Sequence, residues 1–300
     1  MTAPSQFNTV GLMSRSGRAN NPGIHETLVT LIKYLQGLKQ KLILDDDTAK
    51  TLNDPSLPHV PRQALSQHCD LLIVIGGDGS LLHAAHNVLH DEIPVLGVNR
   101  GRLGFLTDIH PHKLEKIKAI LAGEYVLEKR FLLTATVEHH GKILAQGDAL
   151  NEVALIPDSV PHMHEFEIYI NEQFVCSQDS DGIIVATPTG STAYALSGGG
   201  PILHPQLDAI VIVPMFPHTL SLRPIVIEGN QQITIVITPN NLASPRLTCD
   251  GQNFVSAPPG SRITIRKKPE HLHLIHPLDY DYYQTLRGKL HWGHKLQYTE

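Results

Sequence analysis

Apolar positions along the first 125 residues follow two alternating periods, which predicts strands that alternate with helices. Residues 71–75 form an unbroken aliphatic run, typical of a strand buried on both faces. Between residues 24 and 41, Leu28, Leu31, Ile32, Leu35 and Leu38 recur at the spacing of one helix face. Further strands are predicted at 7–13, 41–44 and 93–99, and further helices at 48–52, 81–90 and 113–121. This alternation favours a doubly wound parallel sheet.

The pattern changes at about residue 126 to short apolar runs separated by Gly, Pro or Asn. Several runs alternate polar and apolar residues, as half-buried strands do, and predict a mostly β domain of two packed sheets. The runs lie at 131–138, 165–170, 182–186, 209–213, 225–227, 232–238, 246–249 and 261–266. Residues 190–197 are predicted as one short helix, and helical spacing returns over 280–296.

These patterns predict an α/β + β fold. An amino-terminal doubly wound parallel α/β domain covers residues 1–126 and 276–300, to which the carboxy-terminal helix returns. A β-rich, two-sheet domain covers residues 127–275.

Charge and composition exclude several classes of function. The net charge is −5, and Arg266-Lys267-Lys268 is the densest basic run, so no nucleic-acid partner is expected. No apolar segment approaches the roughly 20 residues that span a bilayer, and no signal peptide is evident, so we expect a cytoplasmic protein with no membrane partner.

The 3 cysteines are too far apart for a disulfide framework, and the 19 histidines lack the spacing of a metal site fixed by protein ligands alone.

Candidate chemistry begins with Gly76-Gly77-Asp78-Gly79-Ser80, between a predicted strand and a predicted helix. Backbone N–H groups in such a turn converge at the positive end of a helix and form an anion site. A carboxylate repels phosphate unless it holds a cation or faces a hydroxyl, so Asp78 points to phosphoryl chemistry. The alternative is a tight turn in which Asp78 is only the helix N-cap.

Two motifs of the second domain suit a polar ligand. Asn151-Glu152 combines donors and acceptors that can address neighbouring hydroxyl groups, although an exposed strand end is an alternative. Asp181 enters a buried strand that leads into a turn dense in hydroxyls, within which the small-residue-rich segment 190–197 begins. That turn also fits a plain helix cap and loop. Its hydroxyls are those of Thr187, Thr189, Ser191 and Thr192.

Two further segments are ambiguous by themselves. Asp250-Gly251 is a strong hairpin signal that structure alone explains, and a ligand role for Gln252 needs outside support. His218, Ser221 and Arg223 come together after a predicted buried strand, where Arg223 either stabilises transferring phosphate or pairs with a surface carboxylate.

Together these motifs resemble those of the bacterial NAD kinases, in the same order over residues 7–275. The glycine–aspartate turn at 76–80 is shared with lipid kinases and phosphofructokinases. The stretch 181–194 distinguishes the NAD kinases from these families. The other matching pieces are Gly101-Arg102-Leu103-Gly104-Phe105-Leu106-Thr107, Asn151-Glu152, 218–224 and Asp250-Gly251-Gln252.

The resemblance implies transfer of the γ-phosphoryl group of ATP to the 2′-hydroxyl of the adenosine ribose of NAD, with a divalent cation (Mg²⁺ or Mn²⁺). It also implies a homo-oligomer, a dimer or tetramer. Asp78 would be the catalytic acid/base residue. The implied NAD-binding residues are Asp78, Gly79, Asn151, Glu152, His162, Asp179, Asp181, Thr192, Ala193, Tyr194, Ala195, Leu196, Ser197 and Gln252. The implied residues for ATP and its phosphates are Gly76, Gly77, Ser80, His218 and Arg223.

Two positions differ from the family pattern. Ser80 replaces the usual threonine and keeps the hydroxyl. Asp179 stands where enterobacterial relatives carry arginine, two residues before Asp181, so the two carboxylates are predicted to share a strand face.

Two other functions remain as alternatives. A lipid or sugar kinase would share the glycine–aspartate turn but predicts an apolar acceptor cleft, which the hydroxyl-rich segment does not favour. A non-catalytic nucleotide sensor would keep Asn151-Glu152 but does not need Asp78, which is present here.

Overall fold

The computed structural model describes residues 6–14, 22–52, 54, 56–100, 104–158 and 163–293. The chain forms two compact units, one of residues 1–129 and 272–300 and one of residues 130–271. The boundaries expected from the sequence lie within four residues of these, at 126/127 and 275/276.

The first unit alternates strands and helices. Its strands are β1 (Thr9–Ser14), β2 (Lys41–Asp45), β3 (His59–Val60), β4 (Leu71–Gly76) and β5 (Val95–Asn99). Its helices are α1 (Pro22–Gly37), α2 (Asp46–Leu52), α3 (Asp78–Val88) and α4 (Glu115–Leu121), with 3-10 turns at Arg62–His68 and Leu89–Asp91. It also contains α6 (Tyr282–Leu290) and the end of a long strand, β17 (Arg262–Pro277).

The strands of the first unit form a parallel sheet in the order β17-β5-β4-β1-β2-β3. Strand β4 lies in the middle, where Ile73 is opposite Leu12 on one side and Leu96 on the other. Ile73 packs into the core with residues of α1 and α4, and Leu72 is equally buried on the opposite face. A strand covered on both faces needs apolar residues throughout, so the predicted doubly wound parallel sheet is confirmed.

The second unit is built from strands. They are the end of β6 (Tyr125–His139), β7 (Lys142–Ala149), β8 (Glu152–Ile156), β9 (His164–Ile170), β10 (Gln173–Ser180), β11 (Gly182–Ala186), β12 (Ala209–Met215), β13 (Ile225–Glu228), β14 (Ile233–Ile237), β15 (Arg246–Cys249), β16 (Gln252–Ser256) and the start of β17. A 3-10 turn at Gly190–Thr192 precedes the single-turn helix α5 (Tyr194–Ser197).

Two sheets of the second unit share one core. The first has the order β10-β9-β14-β17 with the hairpin β6–β7, and the second has the order β13-β12-β11-β8-β15-β16. Phe166 of the first sheet lies in the same buried cluster as Ile183 and Val185 of the second. Alternating inward residues from both sheets fill this core, and the predicted two-sheet arrangement is confirmed.

The small-residue segment departs from the predicted single helix. Ala193 has φ −104° and ψ −125°, which interrupts helical geometry between the 3-10 turn and α5. Tyr194 therefore begins a separate turn, and its side chain is exposed.

The helices of the described residues are all too short or too polar to cross a membrane.

Candidate active site

The glycine turn of the first unit joins the end of β4 to the start of α3, at the carboxyl edge of the parallel sheet. Gly76 has a φ of +154°, and a Cβ there would overlap the Ser80 hydroxyl, so this position requires glycine. The first N–H groups of a helix carry its positive end, and at α3 the Ser80 N–H already donates to Gly77 O at 2.9 Å, which leaves the earlier N–H groups of the turn to face an anion. The turn therefore has the backbone geometry of an anion site.

Asp78 is the first residue of α3, and Gly77 is the N-cap. The alternative that Asp78 only caps the helix is therefore wrong. Its Oδ2 accepts a hydrogen bond from Phe105 N at 2.9 Å, and its Oδ1 accepts one from Leu106 N at 3.0 Å. The side chain is 26% exposed, so the carboxylate is held in place and still accessible from solvent.

Gly104 explains how the chain comes so close to Asp78. A Cβ at Gly104 would overlap Asp78 Oδ1. The sequence indicates a functional role for Phe105 and Leu106 only through the family motif that contains them. Their contact with Asp78 is made by backbone N–H groups, which every residue except proline has, so residue type does not reveal it. Residues 101–103 of that motif lie outside the described residues.

In the second unit, Asn151-Glu152 is clamped by the hairpin turn between β15 and β16. The Asp250 carboxylate accepts hydrogen bonds from the backbone N–H groups of Leu150 (2.8 Å), Asn151 (2.7 Å) and Glu152 (3.1 Å). The sequence predicts only a turn at Asp250, and its φ of +52° fits that turn. Its carboxylate also fixes the start of β8, so Asp250 orients the predicted ligand-binding pair.

The hydroxyl-rich turn also hydrogen-bonds to the segment that contains Asn151, on the carbonyl side of its backbone. Thr187 Oγ1 donates to Leu150 O at 2.5 Å, and Thr187 N donates to Asn151 O at 2.9 Å. Ser191 Oγ is equally internal, since it donates to Pro188 O at 2.6 Å. Thr187, Thr189 and Ser191 are buried, so these hydroxyls build the scaffold rather than face a ligand, contrary to the expectation for this turn. Thr192 remains partly exposed.

The carboxyl group of Glu152 is buried, and its pKa is shifted far from the ordinary value. It is 8% exposed, and in the described part of the chain its Oε2 has no hydrogen-bond partner. Burial raises the pKa of Glu152 to about 7, the charge of Asp250 adds to the rise, and a hydrogen bond from the Tyr194 backbone opposes it. A buried carboxyl oxygen without a partner is suited to accept a hydrogen bond from a bound hydroxyl group.

A cleft of ≈ 620 Å³ in the second unit brings three predicted residues together: Tyr194, Ser197 and Arg223. Arg223 Nη1 donates to two carbonyls of its own loop, Leu220 O at 2.6 Å and Leu222 O at 2.7 Å. The guanidinium therefore stabilises the conformation of its own loop. His218 is exposed, and its backbone N–H donates to Asp179 O at 2.9 Å.

Asp179 and Asp181 do not share a strand face, so that prediction is wrong. Strand β10 ends at Ser180, and Asp181 lies at the break before β11, which belongs to the other sheet. The chain changes sheets at Asp181, where its backbone N–H donates to Met215 O at 3.0 Å. Alternation of side chains applies only within one continuous strand. Asp179 is exposed and Asp181 is partly buried.

The other predicted residues occupy varied environments. Ala195 is fully buried in the core, so only its backbone could address a ligand, and its carbonyl accepts Gly200 N at 2.9 Å. Gln252 begins β16 opposite Cys249 and is partly buried. Gly79 is exposed, as is Ser197, while Ala193 and Leu196 are partly exposed. His162 lies outside the described residues.

Comparison with known proteins places these features in a family. The model of the ATP-NAD kinase N-terminal domain matches residues 29–125, and that of the ATP-NAD kinase C-terminal domain matches residues 150–277. An NAD kinase of Coxiella burnetii is 55% identical over 286 residues, 95% of each chain. An NAD kinase of Pseudomonas putida is 53% identical over 292 residues, 97% of this chain and 98% of that protein.

Solved structures have the same fold. Yeast NADH kinase, complexed with NADH, superposes with a TM-score of 0.87 at 25% identity, covering 98% of this chain and 90% of that chain. An NAD kinase from Archaeoglobus fulgidus, in complex with ATP, has a TM-score of 0.69 at 24% identity over 94% of this chain and 98% of that chain. With both domain models matched in order and relatives above 50% identity over nearly the full length, this chain belongs to the ATP-NAD kinase family.

Proposed function

We propose that this chain transfers the γ-phosphoryl group of ATP to the 2′-hydroxyl of the adenosine ribose of NAD, producing NADP and ADP. The proposal rests on the position of the Asp78 carboxylate. This carboxylate is anchored by Phe105 N and Leu106 N beside an anion-binding turn and remains 26% exposed. A carboxylate placed where phosphate binds is suited to a reaction in which a hydroxyl group attacks phosphorus.

The chemical step follows from that placement. The 2′-oxygen bonds to the γ-phosphorus while the bond from phosphorus to the β,γ-bridging oxygen breaks, and the bridging electron pair leaves with ADP. The hydroxyl proton passes to Asp78. In a loose transition state the attacking oxygen becomes acidic late, so a carboxylate is a strong enough base. Before that moment Asp78 orients the hydroxyl group by accepting its hydrogen bond.

The divalent cation, Mg²⁺ or Mn²⁺, enters as part of the ATP substrate. Among the described residues, no three His, Cys, Asp or Glu side chains group closely enough to hold a metal ion. Phosphate oxygens are the ligands that hard cations prefer, and kinases bind the cation largely through them. The glycine turn then supplies the backbone donors for the phosphates, with Gly76, Gly77, Ser80, His218 and Arg223 as proposed contributors.

The dinucleotide is proposed to bind the second unit through Glu152 and its neighbours. The buried Oε2 of Glu152 accepts a ribose hydroxyl, and Asn151 offers a donor and an acceptor beside it. The remaining proposed NAD-binding residues are Gly79, His162, Asp179, Asp181, Thr192, Ala193, Tyr194, Ala195, Leu196, Ser197 and Gln252.

Incubation with ATP, Mg²⁺ and NAD, scored for NADP, tests the proposed function. We expect NADP and ADP in equal amounts. Phosphorylation of a lipid or sugar in place of NAD would favour the other kinase class. Binding of NAD without turnover would favour a nucleotide sensor.

Titration of Glu152 predicts a pH-dependent affinity for NAD. Below a pKa of about 7 this group is a neutral acid, and above it the carboxylate accepts a stronger, charge-assisted hydrogen bond. The difference is about 1 kcal/mol, so KM for NAD should fall about 3–5-fold from pH 6 to pH 8. Glu152→Gln should flatten this profile, whereas Glu172→Gln, which removes an exposed carboxylate of the same unit, should not. An unchanged profile in Glu152→Gln would contradict the assignment.

We also propose that the protein is a cytoplasmic homo-oligomer. Strand β13 is an edge strand, and its Ile225 and Val226 are exposed. An exposed apolar edge is a site where chains associate. Cys69, Cys176 and Cys249 are free thiols, as in proteins of a reducing compartment. Light scattering in solution gives the number of subunits.

A further inference from the structure

Lys289 lies in the last turn of α6 and faces the proposed catalytic residue. Its Nζ is 3.9 Å from Asp78 Oδ2, and its side chain is 35% exposed. The helix also contacts the segment that anchors Asp78, because the rings of Tyr282 and Phe105 lie 6.5 Å apart. The carboxy-terminal helix thus places a full positive charge beside the glycine turn.

The contact between Lys289 and Asp78 does not hold α6 in position. At 3.9 Å the two groups attract each other but are beyond hydrogen-bond distance, so within the part of the chain that the structure describes the three N–H donors of the ammonium are available to another group. The helix is secured elsewhere. Asp281 caps it by accepting Tyr283 N at 2.8 Å and Gln284 N at 3.1 Å, and Thr285 and Leu286 are buried.

The negative charge of Asp78 creates a need for a cation at the glycine turn, which Lys289 can meet. The terminal phosphates of ATP carry negative charge and would be repelled by the Asp78 carboxylate. The positive end of α3 offsets only about half a unit charge. A compact ammonium with three rotatable donors is suited to bind phosphate oxygens, and charge on those oxygens is what the enzyme must stabilise during transfer.

We propose that Lys289 binds the terminal phosphate of ATP and positions it next to Asp78. This proposal rests on the proposed function of the chain and adds a residue of the carboxy-terminal helix to the phosphoryl-donor site. Under this proposal α6 contributes a side chain to the active site, in addition to packing within the first unit.

The test compares Lys289→Met with Arg287→Met. Both variants remove one positive charge from the last turn of α6, but Arg287 pairs with Asp281 at 3.7 Å and does not face Asp78. In Lys289→Met we expect KM for ATP to rise about 10-fold and kcat to fall roughly 10²-fold, as when one donor to a developing charge is lost. KM for NAD should stay within 2-fold, roughly the scatter between unrelated variants. Arg287→Met should change none of these constants, and Lys289→Arg should restore part of the loss.

A second comparison separates phosphate binding from mere neutralisation of Asp78. In an Asp78→Asn background the carboxylate charge is gone, so a lysine that only offsets it would no longer matter for ATP binding. We expect Lys289→Met to weaken ATP binding, measured by calorimetry, in both backgrounds. Equal ATP affinity of Asp78→Asn with and without Lys289→Met overturns the proposal, as does kinetic behaviour identical to that of Arg287→Met.

Two measurements keep these outcomes interpretable. Thermal unfolding shows whether Lys289→Met folds, and Lys289→Gln replaces it if it does not. Failure of the wild-type protein to form NADP from ATP and NAD would overturn the proposed function itself. Normal NADP formation with an unaffected Lys289→Met variant would overturn only the role of Lys289.

Discussion

Asp78→Asn is expected to lower kcat for NADP formation by about 10²–10⁴-fold, the usual contribution of a general base, while KM for NAD changes little. Asparagine has nearly the same shape but cannot take the proton of the 2′-hydroxyl group. The substitution also replaces one of the two oxygens that accept Phe105 N and Leu106 N. Steady-state kinetics with both substrates varied measures the effect.

Asp70→Asn is a matched control for the structural part of that effect. The Asp70 carboxylate also accepts two backbone N–H groups, from Asn8 at 2.7 Å and Thr9 at 2.9 Å, but it lies before β4 rather than after it. Both variants should lose a similar amount of stability in thermal unfolding, and only Asp78→Asn should lose turnover. Near wild-type turnover in Asp78→Asn, or an equal loss in Asp70→Asn, would show that Asp78 is not the base.

His276→Gln is expected to cost about 3–5 kcal/mol of unfolding free energy, the usual result of breaking a buried ion pair. His276 is 1% exposed, and its Nδ1 lies 2.5 Å from Asp108 Oδ2 while its Nε2 lies 3.0 Å from Glu128 Oε2. Its ring stacks on Tyr280 with centroids 4.0 Å apart. Removing the imidazole leaves two buried carboxylates without their shared partner.

The loss in His276→Gln should depend on pH. Burial by itself lowers the pKa of His276, but hydrogen bonds to Asp108 and Glu128 and the charges of these groups raise it above the ordinary value near 6.5. A raised pKa means that the stabilisation is complete below pH ~6.5 and is lost as the pH rises through the folded-state pKa. The stability difference between wild type and His276→Gln should therefore be largest near pH 6 and shrink towards pH 9.

Urea unfolding at several pH values measures this difference. His273→Gln is the control, because His273 is a partly buried residue of the same strand, β17. It should cost less than about 1 kcal/mol, as substitutions outside buried networks do. A small or pH-independent loss in His276→Gln would mean that His276 is not a buried imidazolium.

Asp108 connects this buried cluster to the segment that anchors Asp78. It lies two residues after Leu106, whose backbone N–H holds Asp78. Loss of His276 should therefore reduce turnover as well as stability, because the segment 104–109 loses one of its anchors.

Much of the first unit could be predicted from the sequence because its signals are local. Residues 71–75 form an unbroken apolar run, which is typical of a strand covered on both faces, and all five residues are fully buried. The turn 76–80 could be identified because its two glycines, aspartate, glycine and serine are consecutive in the chain, between an apolar run and a helical pattern. The predicted helix over 81–90 begins at Asp78 in the structure, since the N–H donors of the turn are also the first turn of α3.

Several strands of the second unit escaped prediction for a physical reason. Strand β10 is an edge strand, and most of its residues are exposed, so it lacks a regular apolar period. Strands β7 and β16 also lie at sheet edges and are absent from the predicted runs, and so is β8, although it is central and buried. Pairing with a distant partner determines such strands more than their own composition does.

The sequence by itself determined the class of fold, the glycine–aspartate turn and the family, because each depends on residues that are close in the chain. Only the tertiary structure decided what holds the functional groups in place. Phe105 N reaches Asp78 across 27 positions, Asp250 reaches Leu150 across 100, and His276 meets Glu128 across 148. Backbone donors have no side-chain signature, and a carboxylate at a hairpin turn looks the same with or without a distant partner. These contacts exist only once the sheets have brought their strands together.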